Sequence, residues 1–252
     1  LGVVLTLPAT GSEMNEVAVI SRRATQEKLA FSSEAIFPVF SILDPMTTFS
    51  LPAKQIRNGV VDAYVHVMEQ YATYPVDAKV QDRQAEGLLL TLQEIGERTI
   101  QNPGDYHARA NLMWSATNAL NKLINKGVPE DWATHLIGHE LTAIFGLDHA
   151  ESLAVVMPHL LWYQREKKAE KLTQYAHRVW GLEGEGVIHQ GIQKLSDFFN
   201  RLGMPTKLTE FDIDPHEAAE QVQARFKERG AVLGEHKDLT PDKVAEILKM
   251  SQ

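Results

Sequence analysis

Hydrophobic positions change their spacing once along the chain. Before residue 50 they fall in short β-type runs, Val3-Val-Leu-Thr-Leu, Val17-Ala-Val-Ile and Val39-Phe-Ser-Ile-Leu, separated by turn signals. Three strands are too few for an independent domain, so they are expected to complete a sheet begun upstream. From Pro52 the spacing turns helical and stays so. Leu51-Pro52 opens a first helix ending near Tyr74-Pro75, Asp77 to about Thr99 forms a second, and Tyr106 to Asn125 a third. A fourth runs from about Pro129 to Phe145 and a fifth from His149 to Gln164. Lys167–Trp180, Gly184–Arg201, Pro215–Lys227 and Pro241–Met250 complete the set, the last two opened by a capping Asp or Thr followed by Pro. The pattern predicts a mainly α fold: a β-rich segment over 1–50 and a helical domain over 51–252.

The fourth helix carries the densest chemistry. His135 and His139 stand four apart and so share a helix face. His149 cannot join them on one straight helix, because fourteen residues at about 1.5 Å rise span roughly 21 Å. Gly146 removes the difficulty, since glycine is the usual residue just past a helix end. A turn at Gly146-Leu-Asp brings His149 back beside the face the chain has left.

The complement lies in the first helix, where Asp62 and His66 are also four apart. A carboxylate and an imidazole on one face, opposed by two imidazoles from a helix and turn, make a four-ligand O/N site. Such a set suits Fe, Zn, Ni or Mn better than a thiophilic metal. Taken alone, an Asp-x-x-x-His pair is more often a polar surface or core feature; the two halves together are far more specific.

The order Asp62-x-x-x-His66, His135-x-x-Gly138-His139, then His149 after a Gly-Leu turn resembles the iron-containing (group III) alcohol dehydrogenases. Within them it is most similar to the branch of NADPH-dependent aldehyde reductases and butanol dehydrogenases. The resemblance covers essentially the whole chain. It implies Asp62, His66, His135 and His149 as ligands of a divalent ion (Zn, Fe or Ni), and Thr6, Asn15 and Lys28 as contacts of NADP(H). His139 is then the spare imidazole, with two readings open: a relay of the proton to the developing alkoxide, or support for the ligands. The implied function is hydride transfer between NADP(H) and a small or medium-chain aldehyde or alcohol, by a cytoplasmic homodimer. The resemblance also implies that the family's nucleotide-binding domain, with its glycine-rich phosphate turn, lies mostly upstream of Leu1. The isolated chain is therefore expected to bind metal but to turn over poorly. Pro8-Ala-Thr-Gly-Ser-Glu13 has one glycine and reads as an ordinary turn or a weak phosphate or ribose loop.

Composition narrows the alternatives. A formal charge of −8 argues against nucleic acid and anionic membrane surfaces as partners. The absence of cysteine removes disulfides, thiolate metal sites and a cysteine nucleophile. No apolar run reaches membrane-spanning length. A zinc hydrolase would want His-Glu-x-x-His; His139-Glu140 begins one, but position 143 is Ala. A di-metal carboxylate bundle would need paired Glu-x-x-His motifs, which the chain lacks. The remaining rival is a truncated helical module that binds metal but no longer catalyses. His107, His177, His189, His216 and His236 have no spaced partners and read as surface or packing residues, as does His159.

Overall fold

Helix α1 (Ala53–Tyr71) loses its solvent-facing side from Gly59 onward, and every residue from there to Tyr71 is buried. A helix covered on all sides lies inside its bundle, and α1 is the beam around which the others assemble. In the computed structural model, which describes residues 1–252, it packs against α2 (Lys79–Gln101), α3 (Tyr106–Leu120), α4 (Ala133–Phe145) and α5 (His149–Tyr163). Helices α6 (Ala169–Trp180) and α7 (Val187–Arg201) close the far side of this group. Helices α8 (Pro215–Glu228) and α9 (Pro241–Lys249) pair with each other beside α4 and α5.

Two apolar cores result. The larger gathers Tyr64, Val67, Leu89, Leu112, Leu153, Phe198 and Phe199 between α1, α2, α3, α5, α6 and α7. The smaller joins Ile137 and Leu141 of α4 to Val222 and Phe226 of α8 and Val244 and Leu248 of α9. Helix α5 serves both: Leu153, Ala154 and Met157 face the first, and Val155, Val156 and Leu160 the second.

The mainly helical expectation is met, with corrections at three places. The N-terminal segment holds four strands, not three: β1 (Gly2–Val4) pairs in parallel with β4 (Phe40–Ile42), and β2 (Val17–Arg22) pairs antiparallel with β3 (Glu27–Ser32). Strand β3 escaped the sequence pattern because its charged start, Glu27-Lys28, reads as a continuation of the polar run before it. The chain reverses through Arg23–Thr25 and Gln26, whose φ of 49° is left-handed. Helix α3 ends at Leu120 rather than Asn125, because the Asn121 side chain accepts the Leu123 N–H at 3.1 Å and Lys122 turns to φ 64°. Helix α4 starts at Ala133 rather than Pro129: Trp132 is left-handed (φ 61°), and Asp131 accepts the Ala133 N–H at 3.0 Å.

Side chains tie the N-terminal segment to the bundle. Thr117 donates to the Glu13 carboxylate, Lys122 pairs with Glu16, and Arg225 of α8 donates to the backbone carbonyl of Gln26 at the hairpin tip. The β2–β3 hairpin is thereby held over α4, and the space between them is the cleft described next.

Candidate metal centre and cleft

Two features of the backbone set up the site. Gly146 takes φ 75° and ends α4 with its N–H bonded to the Thr142 carbonyl, so the chain doubles back and α5 begins at His149. Gly138 lets the two helices approach: a Cβ there would lie 2.9 Å from Ser152 Oγ and 3.0 Å from Leu153 Cδ2. The expected turn is therefore present, and it returns His149 to the histidine face of α4. Helix α1 faces that pair with Asp62, His66 and Glu69, which recur at helical spacing on one stripe of an otherwise apolar helix.

The three expected imidazole ligands gather around Asp62 Oδ1, with Asp62, His66 and His135 forming the tightest set. Asp62 Oδ1 lies 3.6 Å from His66 Nε2, 3.6 Å from His149 Nε2 and 3.7 Å from His135 Nε2. The donor atoms of Asp62, His66 and His135 all lie within 4.8 Å of one another. These separations are too long for hydrogen bonds. They are close to the edge of roughly 3.4 Å expected for donors set tetrahedrally at 2.0–2.2 Å around one ion. Asp62 Oδ1 and His135 Nε2 are buried and have no hydrogen-bond partner in the protein, an arrangement that costs free energy unless a cation satisfies them. One carboxylate and three imidazoles fit a divalent Zn, Fe or Ni.

The clustered groups perturb one another, and a bound cation would have to displace the proton held on His135. Burial works against an ionised Asp62, but His66, His135 and His149 outweigh it and hold the carboxyl well below the usual range. Burial pushes His66 down to about 4 and drives His149 well below its ordinary value. Burial also opposes charge on His135, yet Glu69 and Asp62 prevail and lift it to about 9.

The site opens into a cleft of about 530 Å³. His66, His135, His139 and His149 line its floor, with Trp132 and Leu136 beside them. Val17, Val19, Lys28 and Ala30 of the hairpin form the facing wall, joined by Thr10 and Asn15. The ring of His139 stands 6.3 Å from that of His135 and 5.3 Å from that of His149, outside the ligand cluster but within the cleft. Burial, then Lys28 and His135, push its pKa down to about 3, so it is a neutral imidazole at neutral pH.

Of the three expected cofactor contacts, two reach the cleft. Lys28 projects from β3, its pKa lowered by burial and partly restored by Asp62. Asn15 lines the cleft but has its amide committed: Nδ2 donates to the carbonyls of Thr10 and Leu120, and Oδ1 accepts the Val17 N–H at 3.0 Å. Thr6 lies exposed on the bend after β1 and is not among the residues that line the cleft, whose wall takes Thr10 from that loop. The remaining histidines stay apart from the cleft, and the Nδ1 of His159 bonds to the Val155 carbonyl.

Three side chains at the site were missed in the sequence. Glu69 accepts the Thr134 N–H at 2.6 Å and holds His135 Nδ1. Trp132 packs edge-on against His135, ring centres 5.3 Å apart, and its Nε1 donates to Glu130. Glu69 was findable, because it continues the Asp62–His66 stripe by one more turn. Trp132 and Glu130 carry no spacing signal, since an irregular backbone places them.

Residues 56–252 match the C-terminal part of the Fe-containing alcohol dehydrogenase family, and residues 1–45 match iron-containing alcohol dehydrogenase. The chain belongs to that family. It is 52% identical over 246 residues to the NADPH-dependent aldehyde reductase YqhD of Escherichia coli, covering 96% of this chain and 63% of that protein. It is 40% identical over 240 residues to NADP-dependent alcohol dehydrogenase 3 of Entamoeba histolytica, covering 95% of this chain and 61% of that one. The crystal structure of E. coli YqhD superposes with a TM-score of 0.97 at 50% identity, over 100% of this chain and 65% of that structure. The chain thus spans less than two thirds of the length of these relatives. No helix in it is long and apolar enough to cross a membrane.

Proposed function

We propose that the chain is the metal-binding part of an NAD(P)H-dependent aldehyde reductase or alcohol dehydrogenase. The observation that carries this reading is the gathering of the Nε2 atoms of His66, His135 and His149 around Asp62 Oδ1 at the floor of a cleft walled by Lys28 and Asn15. The names of the relatives, a NADPH-dependent aldehyde reductase and a NADP-dependent alcohol dehydrogenase, support the same chemistry.

Asp62, His66, His135 and His149 would hold the ion, the carboxylate and three imidazoles supplying its donors. Bound there, a divalent ion supplies Lewis-acid polarisation of a carbonyl oxygen, and a reduced nicotinamide supplies the hydride that no side chain can. The chain's own residues do the rest. Trp132 and Leu136 give the substrate an apolar wall and keep water from the floor. Neutral His139 stands one helical turn from His135 and offers its ring N–H as a hydrogen-bond donor to the substrate oxygen. Lys28 places positive charge on the opposite wall, where it favours the electron-rich cofactor and disfavours protonation of His139. A small or medium-chain aldehyde suits a cleft of about 530 Å³ shared with a nicotinamide. Residues 1–50 belong, in this reading, to a nucleotide-binding unit whose phosphate turn lies outside residues 1–252, and 51–252 form the catalytic helical domain.

The test is butanal-dependent oxidation of NADPH by the chain joined to whatever its gene encodes before Leu1. Turnover that is lost on chelation and recovered with Zn or Fe supports the reading. Stoichiometric metal with no aldehyde-dependent oxidation overturns it and leaves a non-catalytic metal-binding module.

A further inference from the structure

One buried carboxylate in the bundle touches a metal-site histidine without lying among the ligands. Glu69 sits two turns below Asp62 on α1, is 3% exposed, and bonds at three points where α1 crosses the start of α4. Its backbone carbonyl accepts the Asp131 N–H at 2.9 Å. One carboxylate oxygen accepts the Thr134 N–H at 2.6 Å, and the other holds His135 Nδ1. A carboxylate at this place is also favoured by the positive end of the α4 dipole.

We propose that Glu69 is the positioning residue of the metal centre: it fixes the ring and tautomer of His135 so that Nε2, and only Nε2, is offered to the ion. This rests on the metal reading above. An imidazole ligates through one nitrogen only if the other carries the hydrogen, and a ring free to turn about Cβ–Cγ would exchange the two edges. Glu69 forbids both changes, because its oxygen can only accept and the Thr134 N–H prevents it from turning away. The other two histidines have no such clamp: His66 Nδ1 and His149 Nδ1 are buried without a protein partner. His135 is also the ring the others lean on, stacked on His66 at 4.6 Å and 16° and set edge-on to His149 at 5.2 Å. One clamp on His135 therefore orients the whole imidazole set.

Zinc affinity by competition with a chromophoric chelator tests this, read beside the melting temperature of the metal-free protein. Glu69→Gln keeps shape and one acceptor but replaces the other with an N–H₂ group, and zinc binding should weaken by about 10–100-fold. Glu140→Gln serves as the control. It removes a buried carboxylate of α4 that pairs with Arg225 and Arg229 rather than with a histidine. It should lower the melting temperature without moving zinc affinity. If Glu69→Gln does not fold, Glu69→Asp, which keeps the charge but withdraws it by one methylene, carries the same expectation. Zinc affinity within twofold of wild type, with the melting temperature lowered, overturns the proposal and leaves Glu69 a packing residue. Wild-type protein that takes up no zinc overturns the metal reading itself, so the two failures are told apart.

Discussion

The Nε2 of His149 lies 3.6 Å from Oδ1 of Asp62, although one residue opens α5 and the other sits in the middle of α1. That distance depends on the Gly146 reversal and on the close packing of α4 against α5 at Gly138. The metal centre is thus a product of helix packing, and its predictions concern packing as much as ligation.

His135→Ala should release most of the bound metal, because it removes a ligand and the ring on which His66 and His149 pack. His216→Ala, in the exposed first turn of α8, should leave the content unchanged. Elemental analysis of the purified proteins decides; equal metal in wild type and His135→Ala would falsify the ligand assignment.

His139→Ala should retain metal and slow aldehyde reduction by roughly 10²–10³-fold, the usual cost of removing one hydrogen-bond donor from a developing oxyanion. The measurement is kcat with butanal and NADPH in the enzyme extended before Leu1. Metal loss as large as in His135→Ala would make His139 a ligand instead, and unchanged turnover would make it a packing residue.

These assignments show what the sequence carries and what it does not. Helix spacing alone placed Asp62 opposite the α4 histidines, and a single glycine foretold the return of His149. The ends of α3 and α4 were misplaced, because they are set by side-chain bonds from Asn121 and Asp131 and by left-handed backbone at Lys122 and Trp132. None of these leaves a periodic trace. Strand β3 has the same exposure as β2, and differs in opening on Glu27-Lys28, which carries the preceding polar run into it. Asn15 lines the cleft while its amide bonds to Thr10, Leu120 and Val17, a commitment that no spacing in the sequence signals.

Gly138→Ala should destabilise the protein by about 1–3 kcal/mol, since the added methyl would meet Ser152 Oγ and Leu153 Cδ2 inside normal contact. Spreading α4 from α5 should also weaken metal binding, although no ligand is altered. Chemical denaturation and metal competition report the two effects, and adding Ser152→Ala, which removes the nearest atom, should recover part of each. No change in either quantity would mean that the helix contact is softer than its geometry implies.

One buried carboxyl should contribute stability that is lost as pH rises from about 5 to 7.5, against the rise that His66 and His139, held neutral by burial, contribute below about 6.5. Burial pushes Glu235 up to about 7, with Asp131 adding to the shift and Lys168 opposing it. A carboxyl whose folded value is raised stabilises the protein fully below its unfolded value of 4.5, and that contribution is lost as pH climbs through about 7. Glu235→Gln, which imitates the protonated form, should gain stability relative to wild type as pH rises through this range in urea denaturation. A slope equal to that of wild type would rule Glu235 out as the source of that loss.

The placement of α5 between the two cores bears on how the molecule comes apart. Leu153 and Met157 belong to one core, and Val155 and Leu160 to the other, so neither core can melt without stripping one side of the same helix. Unfolding should therefore be a single cooperative event, with calorimetric and van't Hoff enthalpies equal, rather than two steps. His149 is the first residue of that shared helix. Loosening the α8–α9 pair, well away from any ligand, should disturb His149 as soon as it disturbs anything.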